Sequence, residues 1–327
     1  MNAIERYFGI DGQNTTVRTE ILAGITTFLT MAYIIFVNPN ILADAGMDSG
    51  AVFVATCLAA ALGCFIMGIY ARLPVALAPG MGLNAFFTYG VVLGMGYTWQ
   101  TALGAVFLSG CIFVLLSLFK IREWVINAIP NSLKQGIVAG IGAFLAFIAL
   151  KSSGIIVANE ATFVSLGDLQ QFSPMMAALG FFMIIGLVYR NIPGAVTIGI
   201  LAVTVIAVLA GQVPFAGVMS MPPPIAPTFM QLDIAGAFDI AMISVIFAFL
   251  FVDLFDTSGT LIGVTSKAGL VDEKGDIRNL DKALLADSTA TVAGSLLGTS
   301  STTSFVESTA GVAAGGRTGL MAVTVGV

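Results

Sequence analysis

The sequence predicts an all-α polytopic membrane protein, and three observations carry that prediction. Apolar residues make up 57% of the chain and charged residues only 9%, with a mean hydropathy of +0.99. A soluble domain carries about 25% charged residues. The apolar residues gather into runs long enough to cross a hydrocarbon layer of about 30 Å. The basic residues between those runs fall almost entirely on one side.

The runs lie near 20–37, 51–70, 81–93, 100–119, 133–150, 174–189, 195–211, 238–256, 280–297 and 301–314, and another starts near Gly319 and reaches Val327. The opening MNAIERYFGIDGQ is polar and of mixed charge, without the apolar core and small-residue cleavage site of a signal peptide. Let the start be cytoplasmic and let every run cross. Arg6, Arg18, Arg72, Lys120, Arg122, Lys134, Arg190, Lys267, Lys274, Arg278, Lys282 and Arg317 then share the cytoplasmic side, and Lys151 alone falls outside. That asymmetry orients the chain and supports the number of crossings. The segments 38–50 and 212–236 hold no Lys or Arg and are placed outside. Cys57, Cys64 and Cys111 sit in apolar runs, which predicts small buried packing groups and no disulfide framework. There is no histidine, so no His-based metal site or proton relay is available, and no metal is expected.

The run entered near Phe238 holds the most informative residues, IAMISVIFAFLFVDLFDTSGT at 240–260. Asp253 and Asp256 are three apart and share one helical face. At about 1.5 Å per residue a helix has advanced roughly 22 Å by Asp253, past the bilayer midplane. A carboxylate there is costly and marks a functional site. The competing reading ends the helix here, with Thr257, Ser258 and Gly259 as helix-end residues.

Two further places carry polar groups inside short, interrupted runs. Glu307 lies midway through GTSSTTSFVESTAG, among hydroxyls that include Ser304. Most of those hydroxyls serve close helix packing. Asn84 follows PGMGL directly, so it is placed at the N-terminus of a half-helix, as a cap or with that helix end presented to a ligand. Phe86, Phe87, Tyr89, Phe251, Phe255 and Phe305 flank these positions. Acids, an amide, hydroxyls and aromatic faces without a basic residue suit a flat neutral ligand with N–H donors. One acid could carry a proton with such a substrate.

The interrupted runs also resemble each other. Aligning Phe86 of NAFFTYG with Phe305 of TSFVEST gives an offset of 219 residues, which carries the first run onto the one near 238. Seven runs precede that point, so the second unit opens in opposite topology, the pattern of an inverted repeat. Two such units need about 440 residues, so about four helices are expected to be missing here.

Four stretches carry a family resemblance: TTFLTMAYIIFVNP at 26–39, LPVALAPGMGLNAFF at 73–87, FVDLFDTSGTLIGV at 251–264 and LADSTATVAGSLLGTSSTTSFVESTAGVAAGGRTGL at 285–320. Over its whole length the chain resembles the adenine, guanine and hypoxanthine permeases of the nucleobase–cation symporter-2 family. The resemblance implies fourteen spans as a seven-plus-seven inverted repeat, with short strands before the half-helices of spans 3 and 10. It implies a core domain at 1–130 (spans 1–4) and 237–327 (spans 8–10 and the start of span 11), and a gate domain at 131–236 (spans 5–7), with spans 12–14 absent. Binding positions map onto Asn84, Asp253 and Glu307, with Phe86, Ser304 and Phe305 beside them and Asp256 as a nearby functional acid. Glu307, Asp253 and Asp256 are the proton-coupling candidates. The implied function is import of a purine base across a bacterial inner membrane, with the proton as coupling ion and no other cofactor, the lipid bilayer as surroundings, no nucleic-acid partner and a homodimeric assembly.

Three rivals are weighed against this. An anion transporter of the same architecture would want a basic residue at a half-helix. An intramembrane aspartyl protease would want Gly-x-Gly-Asp, and the nearest string is Ser165-Leu166-Gly167-Asp168 in a polar outer segment. A passive channel would be indifferent to the proton gradient.

Overall fold

Backbone that leaves helical geometry inside a membrane must find every hydrogen bond within the protein. The fold is organised around one place where that is achieved. The computed structural model describes residues 3–119, 131–190, 192, 194–214, 217, 220–272 and 277–327. The chain divides into two compact units, Met1–Ile137 with Pro222–Val327, and Val138–Met221.

In the first unit a short helix α1 (Ala3–Phe8) precedes α2 (Val17–Met31) and α3 (Ile34–Ala43), which together make a 27-residue apolar span. Thr16 caps α2 by accepting from the Thr19 N–H. Helix α4 (Ser49–Ile66) is capped by Asp48, which accepts from the Ala51 N–H at 2.7 Å. It continues as a π-helical turn, Met67–Ala71, and stops at Arg72 in left-handed backbone, φ 57°. The chain then extends as β1 (Leu77–Pro79), turns into α5 (Met81–Ala85), widens into a π-helical stretch Phe86–Val92 and closes with α6 (Leu93–Met95). Helix α7 (Trp99–Leu118) follows, capped by Thr98.

In the second unit α8 (Asn131–Ser152), which begins in the first unit's bounds, leads to a β2–β3 hairpin (Ile156–Asn159, Phe163–Leu166), then α9 (Phe172–Tyr189) and α10 (Ala195–Leu209). The hairpin is an addition to the expected all-helical architecture, and Ser165 and Leu166 of the protease-like string lie in it. Helix α9 keeps large apolar side chains exposed, Phe182 at 69%, as a lipid-facing surface requires.

The first unit resumes with α11 (Ile240–Lys267), α12 (Leu280–Leu297), β4 (Thr302–Ser304), α13 (Ser308–Ala313) and α14 (Gly319–Gly326). Among the described residues five helices are long and apolar enough to cross a membrane: Val17–Ala43, Ser49–Ala71, Trp99–Leu118, Phe172–Tyr189 and Ile240–Lys267. At the start of α11 the exposed Asp239 accepts from the Tyr97 hydroxyl at 2.7 Å, which holds its carboxyl below the usual carboxylate range.

Strands β1 and β4 pair antiparallel, with Leu77 opposite Ser304, Ala78 opposite Thr303 and Pro79 opposite Thr302. The flanking bonds, Phe305 N–H to Ala76 O and Gly80 N–H to Ser301 O, are both 2.9 Å. Pairing parity turns the N–H and C=O of Leu77 away from β4. Cys64 of α4 meets both, its sulfur 3.2 Å from the nitrogen and 3.3 Å from the oxygen. Ser308 accepts from the Ala76 N–H at 2.9 Å, and Thr291 donates to the Thr302 carbonyl at 2.8 Å. Side chains of α4 and α12 thus close the outer edges of a two-stranded ribbon, and Ser308 of α13 closes its end. Close approach makes this possible: a Cβ on Gly63 would lie 3.0 Å from Leu77 Cβ and 3.1 Å from Ala290 Cβ.

Three expectations are corrected here. The run at 238–256 continues as helix to Lys267, so Thr257, Ser258 and Gly259 lie inside α11 and end nothing. The segment 38–50 is not wholly an outer loop, because α3 runs to Ala43 and buries Asn38. The half-helix before Asn84 is capped at Gly80, so Asn84 is an interior residue of α5 and not its cap. The aligned Phe86 and Phe305 occupy unlike places: Phe305 directly follows β4, whereas Phe86 directly follows the half-helix α5. Cys64 is also more than a packing group, while all three cysteines are free thiols.

Candidate functional site

Successive side chains of a strand point to opposite faces, and β4 uses this to present hydroxyls to two acidic helices. Thr303 faces α11. Its hydroxyl lies 2.9 Å from the Thr257 hydroxyl and donates to Asp256 Oδ2 at 3.4 Å. Ser304 faces α12 and donates to Asp287 Oδ1 at 3.1 Å. Thr291, one helical turn on from Asp287, donates to Asp253 Oδ2 at 3.2 Å as well as to the strand.

The two acids of α11 are thereby separated. Asp253 is 1% exposed, set between its own helix and α12, and its Oδ1 has no hydrogen-bond partner. Asp256 is exposed, one turn further along. Asp253 lies within electrostatic reach of both Asp287 and Asp256, and Asp256 within reach of Glu307. The acids therefore form a chain around β4: Asp287, Asp253, Asp256, Glu307.

Glu307 is half-buried at the turn that starts α13, and accepts a hydrogen bond from the Tyr33 hydroxyl at 2.6 Å. Tyr33 sits at the break between α2 and α3. Asn84 is fully buried. Its Nδ2 donates to Asn38 Oδ1, and its own Oδ1 is buried without a partner. Asn38 in turn donates to Thr56 at 2.7 Å and to Thr299 at 2.8 Å, tying α3 to α4 and to the approach of β4. Phe86 packs edge-on against Phe249 of α11, centroids 5.2 Å apart. Phe305 is 5% exposed, packed in the core. Phe251 and Phe255 stack on the face of α11, 6.5 Å apart.

The sequence-derived residues fall into two groups. Asp253, Asp256, Ser304, Phe305 and Glu307 gather on β4 and its neighbours, while Asn84 is linked through Asn38 to Thr299 at the approach of β4. Phe86 packs with Phe249 in a separate apolar cluster and is not brought to the acids. Sequence reading missed Asp287, Tyr33, Asn38 and Glu20. Asp287 carried the same signal as Asp253, an acid within an apolar run. Asn38 falls just past a run boundary at 37, six residues short of the observed end of α3 at Ala43. Tyr33 had nothing to set it apart from the other aromatics. Glu20 is fully buried near the start of α2, and its two oxygens accept from the N–H groups of Arg317 and Thr318 at 2.8 and 3.2 Å. Among the described residues no group of three or more Cys, Asp or Glu side chains is arranged to hold a metal ion.

Buried acids and amides gathered where two broken helices meet in an apolar bundle define an integral membrane transporter of the interrupted-helix kind. A family model described as "Permease family" (Xan_ur_permease) matches residues 18–327, and the chain belongs to that family, one of transporters and not of enzymes. It is 55% identical over 326 residues to "Putative permease MJ0326" of Methanocaldococcus jannaschii, covering 99% of this chain and 75% of that protein. It is 51% identical over 324 residues to "Adenine permease AdeP" of Escherichia coli, covering 99% and 73%. It is 46% identical over 326 residues to "Guanine/hypoxanthine permease PbuO" of Bacillus subtilis, covering 98% and 75%. Among solved structures, the transmembrane domain of the cyanobacterial bicarbonate transporter BicA shares the fold, with TM-score 0.66 at 14% identity over 94% of this chain and 79% of that one.

Proposed function

We propose that this protein imports a purine base in symport with a proton. The observation that carries the reading is the line of acids around β4, reaching from buried Asp253 to half-buried Glu307. Carboxylates accept N–H bonds, as a purine edge requires, and aromatic faces stand beside them. The relatives named for adenine, guanine and hypoxanthine support the same substrate class.

In this reading Glu307 and Asp253 take the N–H groups of the base, Asn84 completes its edge recognition, and Ser304, Phe86 and Phe305 shape the pocket. Asp256 lies beside the path. Carrying a bare carboxylate across a low-dielectric layer is costly. A proton on Glu307, Asp253 or Asp256 removes that charge, which couples substrate movement to the proton gradient without another cofactor. We assign 1–130 and 237–327 to the core and 131–236 to the gate; the two compact units have nearby bounds. The start of the chain is placed on the cytoplasmic side, and the assembly as a homodimer.

The experiment is uptake of radiolabelled hypoxanthine by cells expressing the protein, with adenine, guanine, xanthine and uracil as competitors and a protonophore in a parallel arm. Purines should compete, uracil should not, and the protonophore should collapse accumulation. Uptake indifferent to every purine would remove the substrate assignment. Uptake that survives the protonophore would leave a facilitator.

A further inference from the structure

A second constellation lies away from the acids, where the ends of several spans meet α1. Arg6, Arg72, Arg278 and Arg317 line one cavity of about 220 Å³ together with Tyr7 and Gln13. The four come from four separate segments: Arg6 lies in exposed α1, and the segments of the other three are held by specific contacts. Arg72 ends the π-helical turn in left-handed backbone, and its guanidinium lies over the Tyr7 ring, 4.3 Å from the centroid. Tyr7 is held in turn by its hydroxyl, which donates to Ile69 O at 3.0 Å. Arg278 is followed by Asn279, whose side chain donates to Ala71 O at 3.0 Å, which fixes this segment beside Arg72. Arg317 uses Nη1 to donate to the carbonyls of Val312 and Gly316 at 2.6 and 2.7 Å, closing the end of α13. Its Nε and Nη2 remain for another partner.

Four guanidiniums on one cavity repel one another unless an anion joins them. Among the described residues none of the four is paired with a carboxylate. Glu20, the acid nearest in the hydrogen-bond network, accepts from the Arg317 and Thr318 N–H groups and does not line the cavity. Glu5, Asp11 and Asp272 are close in sequence, and none lines the cavity. A carboxylate ligand would engage one or two such groups. A phosphate, with three oxygens and up to two charges, can engage all four, and arginine's planar fork matches it bidentately. The volume is several times the roughly 30 Å³ share of one water, enough for a phosphate and the first atoms of its ester. Arg6 and Tyr7 precede the stretch matched by the family model, so part of this site is built by residues outside it.

We propose that this cavity binds a phosphate-bearing anion between Arg6, Arg72, Arg278 and Arg317. The chemistry is shared by a phospholipid headgroup and a soluble phosphate, and the test separates them. The purified protein is placed in nanodiscs of phosphatidylcholine, which leave both faces open, and titrated calorimetrically with inorganic pyrophosphate. A second preparation, in mixed phosphatidylcholine and phosphatidylglycerol, is read by native mass spectrometry for retained anionic lipid. Saturable pyrophosphate binding identifies a soluble ligand, and retained phosphatidylglycerol a headgroup. In either arm Arg6→Gln/Arg278→Gln should weaken binding about tenfold or more. If the double variant does not fold, Arg6→Gln alone, on exposed α1, serves as the variant. Binding of neither probe by the unsubstituted protein, or equal binding by the variant, overturns the proposal. The readout is binding alone, so it stands or falls separately from purine transport.

Discussion

The Tyr33 hydroxyl donates to Glu307 Oε1 at 2.6 Å, a bond between residues 274 positions apart in sequence. It joins the break between α2 and α3 to the turn that opens α13. The carboxylate is thus aimed from outside its own short helix.

This bond sets the first prediction. A hydrogen bond to a charged group contributes about 1.5–3 kcal/mol, and 1.4 kcal/mol is about tenfold in affinity. Tyr33→Phe should therefore raise the apparent KM for purine uptake about tenfold while leaving a folded, measurable transporter. Glu307→Ala should abolish uptake. Wild-type uptake by Glu307→Ala would take the residue out of the site, and an unchanged KM in Tyr33→Phe would make their bond incidental.

Asn38 is the hub of the second network, bonded to Asn84, Thr56 and Thr299. Asn84 Oδ1 is already without a partner, so deleting Asn38 leaves both ends of the Asn84 amide unsatisfied in a buried place. Each buried group left unpaired costs about 1–3 kcal/mol. Asn38→Ala should lower the melting temperature in detergent and weaken purine uptake together. Loss of stability with unaltered KM would confine the network to a structural role.

How much of this was legible beforehand depends on what each residue reports locally. An acid inside an apolar run carries its cost in the sequence, which is why Asp253, Asp256 and Glu307 were found. The broken segments announced themselves through PGMG and the Ser/Thr-rich stretch. Pairing was not legible, because register between strands more than two hundred residues apart depends on tertiary contacts: nothing in the sequence sets Leu77 opposite Ser304. Partners such as Tyr33, Asn38 and Cys64 are ordinary in their own segments. Only the fold gives them their bonds.

Cys64 tests the closure of the strand edge. Its thiol serves both the N–H and the C=O of Leu77, deep between α4 and β1. Cys64→Ala removes both partners and should cost about 1–3 kcal/mol, read as a lower thermal midpoint. Cys64→Ser offers a shorter but stronger donor and acceptor, and should recover part of the loss. A Cys64→Ala protein as stable as the original would mean that water or backbone shifts satisfy Leu77 instead.

Asp253 and Asp256 are one helical turn apart and should respond differently to the same change. Asp253 is buried beside Asp287, holds Thr291 with one oxygen and keeps the other free of any bond. A buried acceptor without a partner is costly until a ligand N–H or a proton meets it. Asp256 is exposed and has one long contact, 3.4 Å from Thr303. Replacing Asp253 by Asn keeps the shape but puts an NH2 group where an acceptor or an acidic proton is needed. Asp253→Asn should therefore weaken purine binding more than Asp256→Asn, by about tenfold or more against a few-fold, as measured by equilibrium binding of labelled hypoxanthine to the purified protein. Asp256→Asn should mainly alter the dependence of uptake on external pH. The reverse order of binding losses would place the base at the exposed acid, with Asp253 left as a buried support for β4.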